Sequence, residues 1–390
     1  MVRYGLPMKV MFWMGVCVSV YSYLLYPLVL LLVLLLSRRK AIRRPLPQAW
    51  GLLPVTVIIT ARNEGARIRD KLENTLALEY PRELFSILVA SDASTDDTDE
   101  IVGTYAGRHV ELVRAQERKG KEYAQLCAIR RAGAPILVFT DAATRLESNA
   151  LQLLVEHFSD PTIGAVSSRD ELVGAAEDKG GGGEGAYVRY EMGLRAIESR
   201  AAGLVGLSGS CFAVRREVCE RWRIDTPSDI TVALLCAQAG MRAVSDERVK
   251  GAYLSIREES REFARKRRTI VRGMTAVWEL RESLNPLRYG GFAFQVWSHK
   301  VFRWLVPVGM GLTLVASAAL ADSSPLYRIA LLVQCAGYLA ALMGWLSARL
   351  RGAAPVRIAL YFVTVNLATA FALFDFLRGV RITTWNPSQR

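Results

Sequence analysis

VTVIITARNEG (residues 55–65), FSILVASDASTDDTDE (85–100) and PILVFTDAAT (135–144) decide the fold. Each begins as a run of β-branched or aliphatic side chains and ends in polar or acidic ones. Short runs that are apolar throughout, rather than alternating, read as parallel strands buried on both faces: 55–60, Phe85–Ser91 and 136–140. Helical stretches lie between them at 66–78, 98–106 and 122–132, with a further short strand at Val110–Arg114. Strand alternating with helix predicts a doubly wound α/β sheet. Ligands of such sheets sit beyond the carboxyl ends of the strands. Those ends carry Asn63 and Glu64, then Asp92, Ser94 and Asp96, then Asp141. Carboxylates delivered to one rim by three strands suggest a nucleotide and metal site.

Outward from this core the composition divides. Hydrophobic residues make up 51% of the 390, yet 22% are charged, so the apolar ones must be concentrated. They are, in uncharged runs at 10–36, 304–321, 329–348 and 358–374. About 20 apolar residues cross a hydrocarbon core, which makes each run a candidate span. The first is too long for a signal-peptide core and reads as an anchor. A net charge of +13 fits membrane orientation and attraction to anionic lipid. Zinc-finger spacing and basic-aromatic interleaving are missing, which argues against nucleic acid as a partner. Six cysteines without a C-x-x-C pair, and three histidines, argue against a disulfide framework or a zinc site. They fit a reducing compartment.

The remaining chain reads in order as a helix at 149–158, a strand at 164–169, a glycine-rich mobile loop at 172–185 and an amphipathic helix at 186–199. LVGLSGSC (204–211) is small and flexible, and a strand resumes at 212–214. DTPSD (225–229) precedes a helix at 230–239 that Gly240 caps. An Asp at the position of Asp229 is as often a helix cap as a functional group. REFARKRRTIVR (261–272), the densest basic run, suits either a lipid-facing patch or a grip on a diphosphate, since the arginine fork binds phosphate oxygens in pairs. Residues 284–303 suit an interfacial helix with Trp297 and Trp304 at headgroup level. The basic flank at 38–44 and the arginines of 349–357 favour the inside, and the loop 322–325, without positive charge, the outside. Four spans then return the tail to the outside, whereas Arg378, Arg381 and Arg390 prefer the inside. Either the bias fails there or one segment lies flat or re-enters.

Taken together, these motifs resemble the membrane-integrated family 2 glycosyltransferases of bacteria, the GT-A group that includes cellulose, chitin and hyaluronan synthases, and look closest to the exopolysaccharide subset. The resemblance covers 55 to about 273 by motif and the flanking runs by arrangement, and it extends to the tail at 379–390. It implies a GT-A, Rossmann-like mixed α/β sheet with N- and C-terminal transmembrane helices. The expected divisions are an anchor with its basic flank (1–45), a cytoplasmic catalytic domain (46–275), an interfacial segment (276–303) and three further spans with the tail (304–390). Residue by residue, it assigns Ala61 and Glu64 to the base and ribose of a nucleotide, and Asp92 to the base. Arg118 and Lys121 fall in the Lys/Arg-Gly element beside the nucleotide. Asp141 matches the first Asp of D-x-D, the ligand of a divalent cation, Mg²⁺ or Mn²⁺. Gly206, Ser208 and Gly209 lie in the segment lining the acceptor pocket. Asp229 matches the catalytic base, and Arg267, Arg268 and Arg272 approximate the basic Q-x-x-R-W region that holds the diphosphate.

The chain departs from the pattern at three points. D-x-D is Asp141-Ala142-Ala143, the Glu before the base is Ser228, and Thr269 follows Arg268 where the family has Trp. The last change favours single-sugar transfer over polymerisation. The implied activity is an inverting transfer from a nucleotide sugar, UDP-linked, to a lipid-linked or glycan acceptor at the bacterial cytoplasmic (inner) membrane, in surface or exopolysaccharide synthesis. Two alternatives stand beside it: a processive synthase, separable by sizing the product, and a catalytically weak membrane component that binds nucleotide sugar or partner subunits.

Overall fold

The computed structural model describes residues 5–36, 52–173, 182–254 and 259–382. The basic flank at 38–44, most of the linker at 45–54, the centre of the loop at 172–185 and the end of the tail lie outside the described residues. β1 (Val55–Ala61), β2 (Phe85–Ser91), β3 (Val110–Arg114) and β4 (Ile136–Asp141) form the parallel part of one mixed sheet. β5 (Arg145–Leu146), β6 (Ile163–Val173), β7 (Cys211–Arg215) and β8 (Arg242–Leu254) complete it, in the order β3-β2-β1-β4-β7-β6-β8-β5. β7 runs antiparallel to both β4 and β6, which makes the sheet mixed.

The apolar runs become strands because both faces of the sheet are covered. Val55, Val57 and Ile59 pack with Ile68, Leu72 and Leu76 of the helix Gly65–Leu76 on one side. Ile58 turns the other way, toward Ala124 and Ala128 of the helix Lys121–Arg131. Val57, Ile58 and Ile59 are fully buried, and each such side chain contributes roughly 1.5–3 kcal/mol. Register then fixes the rim. Ala61 pairs with Ser91, and Thr60 with Asp141, so the segments that follow β1, β2 and β4 leave the sheet side by side.

β8 is a strand that pattern reading misses. Its charged residues Arg242, Asp246, Glu247, Arg248 and Lys250 break the apolar signal. The structure accommodates Asp246, Glu247 and Arg248 at a register shift between Ser167 and Arg169 of β6. There Asp246 is buried and bonds His157 and Arg248. The expected loop at 172–185 is shorter than its composition suggests, because β6 runs to Val173 and the next helix, Gly182–Ala201, begins at Gly182.

Among the described residues, four helices are long and apolar enough to cross a membrane: Gly5–Leu36, Pro286–Leu320, Pro325–Leu346 and Ala354–Leu377. The stretch 284–303 does not form a separate interfacial helix. Pro286–Val296 runs through a π-helical turn, Trp297–Val301, into Phe302–Leu320, with a kink at Gly290 (φ 50°). Phe292, Ala293 and Val296 are buried in the same core as Val232 and Leu235. One side of this stretch thus packs on the catalytic domain, while Leu287, Phe294 and Trp297 stay exposed.

Candidate active site

The turn after β2 carries Asp92, which is fully buried. Its Oδ1 accepts hydrogen bonds from the backbone N–H groups of Lys119 (3.1 Å) and Gly120 (3.0 Å). Oδ2 is buried with no hydrogen-bond partner among the described residues. A buried carboxylate oxygen left open is costly unless a ligand supplies a donor. Ala61 ends β1 and accepts the Asp92 backbone N–H. Glu64 is buried beside it; its N–H donates to Thr98 Oγ1 and its carboxylate pairs with Arg67 at 3.2 Å. Burial pushes the Glu64 carboxyl above its ordinary value, with Arg67 opposing and the charges of Asp141 and Asp96 adding to the rise. Asp96 is exposed and is engaged locally, accepting hydrogen bonds from Gly65 N–H and from Thr98.

Lys121 opens the helix Lys121–Arg131 one residue beyond the N–H groups that hold Asp92. Its ammonium lies 2.5 Å from Asp141 Oδ1 and 3.4 Å from the Gly209 carbonyl. Burial alone would lower its pKa, but Asp141, Glu122 and Asp229 outweigh that and raise it. Asp229 stands in the first turn of the helix Ser228–Gln238. Its Oδ1 accepts the Ile230 N–H at 2.9 Å, and a Cβ placed on Gly209 would lie 3.6 Å from its Oδ2. The carboxylates of Asp141 and Asp229 thus act on one lysine, and Asp92 holds the two backbone N–H groups immediately before it.

The segment 204–211, flexible by composition, is pinned. Leu207 N–H donates to the Asp229 carbonyl, Ser208 N–H to Ser167 Oγ, and the hydroxyls of Ser208 and Ser210 to Asp170. Ser210 in turn accepts the Asp141 N–H. Gly206 and Gly209 therefore sit on a fixed ledge beside Asp229. Sequence reading missed Ser167 and Asp170, which support this ledge from a different strand.

The basic helix Glu259–Glu279 divides its arginines, contrary to the expected single cluster. Arg268 and Arg272 lie four residues apart on one face. Arg272 is buried and pairs with Glu122 at 2.6 Å, next to Lys121. Burial, together with the like charges of Arg272 and Arg265, lowers the Arg268 pKa. Arg267 points elsewhere and holds Asp375 of the last apolar helix through Nε and Nη2, at 2.6 and 2.7 Å. Adjacent helix positions diverge by about 100°, so a contiguous basic run cannot serve one ligand. Arg118 is exposed on the loop before Gly120.

Asp141 is part-exposed and is the single carboxylate of its turn, since Ala143 offers no donor. One carboxylate with phosphate oxygens and water is a donor set that Mg²⁺ or Mn²⁺ accepts. The residues present therefore fit a divalent cation, provided that Lys121 yields Asp141 Oδ1.

Residues 56–223 match the model of Glycosyl transferase family 2. The β-monoglucosyldiacylglycerol synthase of Nostoc sp. is 28% identical over 187 residues, 46% of this chain and 40% of that protein. The hyaluronan synthase of Streptococcus pyogenes is 28% identical over 182 residues, 42% of this chain and 41% of that protein. The chain thus aligns with less than half the length of these relatives. Among solved structures, the mannosyltransferase PcManGT from Pyrobaculum calidifontis, in complex with GDP-Man and Mn²⁺, superposes with a TM-score of 0.72. It is 24% identical, and the match covers 95% of this chain and 99% of that one. The chain therefore carries a family 2 glycosyl transferase domain of GT-A fold, flanked by helices long and apolar enough to span a membrane.

Proposed function

We propose that this protein is an inverting glycosyltransferase that moves a sugar from a nucleotide donor, UDP-linked, to a membrane-associated acceptor in surface or exopolysaccharide synthesis. The proposed setting is the bacterial inner membrane, with the catalytic domain on the cytoplasmic side where nucleotide sugars are found. The observation that supports the reading is that one short stretch at the rim of the parallel strands, residues 119–121, ties three carboxylates together: its backbone N–H groups hold Asp92, and the Lys121 ammonium pairs with Asp141 and feels the charge of Asp229.

Each residue then has a task. The open Oδ2 of Asp92 receives an N–H of the base, with Ala61 and Glu64 flanking base and ribose. A divalent cation on Asp141 would supply Lewis-acid neutralisation of the departing diphosphate. Lys121 and Arg268 add fixed positive charge there, where it is worth most as the bond breaks. Arg272 acts at one remove, by holding Glu122. On the opposite side, Asp229 Oδ2 accepts the proton of the acceptor hydroxyl as it attacks, a role worth about 10²–10⁴-fold. The bare Gly209 leaves room for that hydroxyl. One base and, among the described residues, no second carboxylate assigned as a covalent partner imply direct displacement with inversion.

The test is a panel of UDP- and GDP-sugars, with lipid acceptors, presented to the full chain in neutral detergent with Mg²⁺ or Mn²⁺, reading nucleotide release. Asp229→Asn is expected to lose transfer by at least a hundredfold while nucleotide binding stays intact. Retained turnover in that variant would remove the assigned base.

A further inference from the structure

The spans bring one more charge to the site. Lys300 lies in the π-helical turn Trp297–Val301, where the second apolar helix leaves the catalytic domain. Its side chain is half-buried against the ledge: a Cβ placed on Gly206 would lie 3.4 Å from Nζ, and 3.7 Å from Ile230. Three residues along the same ledge, Gly209 faces the Asp229 carboxylate. Lys300 and Asp229 therefore stand beside two glycines of one short ledge.

The neighbours of Lys300 are already engaged. His299 bonds Glu198 at 2.7 Å and Glu191 at 3.2 Å, Tyr26 donates to Glu198 at 2.5 Å, and Arg303 pairs with Glu191. Lys300 itself has no hydrogen bond and no carboxylate within ion-pair distance among the described residues, although it feels the charges of Glu191, Glu198, Arg303 and Asp229. A half-buried ammonium without a direct partner calls for an anion. The two lysines at this site also divide their surroundings. Lys121 feels Asp141, Glu122 and Asp229; Lys300 feels the junction carboxylates and Asp229. Asp229 is the common member, with the donor on one side and the membrane helices on the other.

We infer that Lys300 binds a phosphate oxygen of the acceptor, and that the acceptor is a lipid phosphate or diphosphate ester rather than a neutral glycolipid. This rests on the proposed function and deepens it. The ammonium anchors the anionic link between lipid and sugar at the bilayer end of the ledge, so that the acceptor hydroxyl reaches Asp229 over Gly209. A neutral lipid would leave Lys300 with nothing to bind.

The test measures binding to the full chain in dodecyl maltoside by titration calorimetry, with dodecyl phosphate, inorganic phosphate and UDP as separate probes, for wild type, Lys300→Met and Lys300→Arg. Dodecyl phosphate should bind the wild type more tightly than inorganic phosphate does, lose at least tenfold in Lys300→Met and recover in Lys300→Arg. UDP affinity should be equal in all three. Unchanged dodecyl phosphate binding in Lys300→Met overturns the inference. Inorganic phosphate binding as tightly as dodecyl phosphate overturns the lipid source. A parallel loss of UDP affinity overturns it by assigning Lys300 to the donor. Failure of the wild type to bind any nucleoside diphosphate would instead strike at the proposed function itself, and is read in a separate titration.

Discussion

Replacing Asp92 with Asn changes a single atom at the proposed base site. The Lys119 and Gly120 N–H groups, at 3.1 and 3.0 Å from Oδ1, require an acceptor there. They hold the amide oxygen of Asn in that position, which forces the amide nitrogen into the place of Oδ2. An open acceptor becomes a donor. Uracil N3–H and guanine N1–H are donors as well, so two donors then face each other in a buried site. An unpaired buried polar group costs about 1–3 kcal/mol. That corresponds to roughly 5- to 150-fold in affinity. Cytosine has an acceptor at N3 and should be relieved by the same change. Calorimetry of UDP, GDP and CDP on the full chain with Mn²⁺ reads all three. The expected result is a loss of about tenfold or more for the nucleotide the wild type prefers, with CDP gaining relative to it. Unchanged affinity would refute the reasoning, as would an equal loss for all three, which would make Asp92 a support for the 119–120 loop and not a reader of the base.

Two further outcomes follow from buried charge. Arg272→Met strands Glu122, 2% exposed at its side chain, and should cost about 3–5 kcal/mol in denaturant or thermal unfolding; adding Glu122→Gln should restore most of it. If donor affinity also returns in the double variant, Arg272 acts only through Glu122. Lys71 is buried beneath the Asp141 turn, bonding Thr140 at 3.0 Å and the Thr144 carbonyl at 2.6 Å. Burial pushes its pKa down from 10.5 to about 8, with Cys211 and Asp141 opposing. Between those values the unfolded chain holds the extra proton, so stability rises with pH, by at most about 3 kcal/mol. The wild type should therefore gain stability relative to Lys71→Met between pH 8 and 10.5, and parallel pH profiles would contradict it.

The parallel half of the sheet was legible because burial on both faces demands unbroken aliphatic runs, and Val57 to Ile59 supply one. The carboxylates were legible because ligands of doubly wound sheets sit beyond the strand ends, which singles out the acidic residues found there. What escaped is what depends on distant partners. Arg267 and Asp375 are 108 residues apart, and nothing local marks the arginine as paired. Strand β8 is covered by ion pairs to Glu156 and His157, so its charged positions look like loop. Lys300 reads as one more basic residue in a juxtamembrane stretch until the fold sets it against Gly206. Short-range pattern thus recovers the elements that bury apolar surface, whereas the polar contacts that tune a site are settled by tertiary register.

The conflict over the tail turns on how the last apolar helix packs. In the last apolar helix, Tyr361 stacks under Lys266 and lies 5.4 Å from Tyr187. Phe371 lies 6.2 Å from Phe263, Asp375 pairs with Arg267, and Phe376 is 6.4 Å from Trp278. All these partners belong to the helices Gly182–Ala201 and Glu259–Glu279, and the latter is anchored in the catalytic core by Val277. From residue 361 to residue 376 a helix advances roughly 22 Å. Points that far apart both touch the helices Gly182–Ala201 and Glu259–Glu279, and between them Phe362 also meets Tyr23 of the first apolar helix. Near its start, the helix meets the end of the preceding one, where Val356 crowds Gly344. An arrangement in which the last helix lies along the catalytic face, with three others left to cross, is the one to test. It would put Arg349, Arg351, Arg357, Arg378 and Arg381 on one side, as the positive-inside tendency requires. A fluorescent protein fused after Arg390 should fold and a periplasmic phosphatase fused there should be inactive, matching reporters inserted in the catalytic domain. An active phosphatase at the tail, with the catalytic domain still cytoplasmic, would mean that the last helix crosses after all.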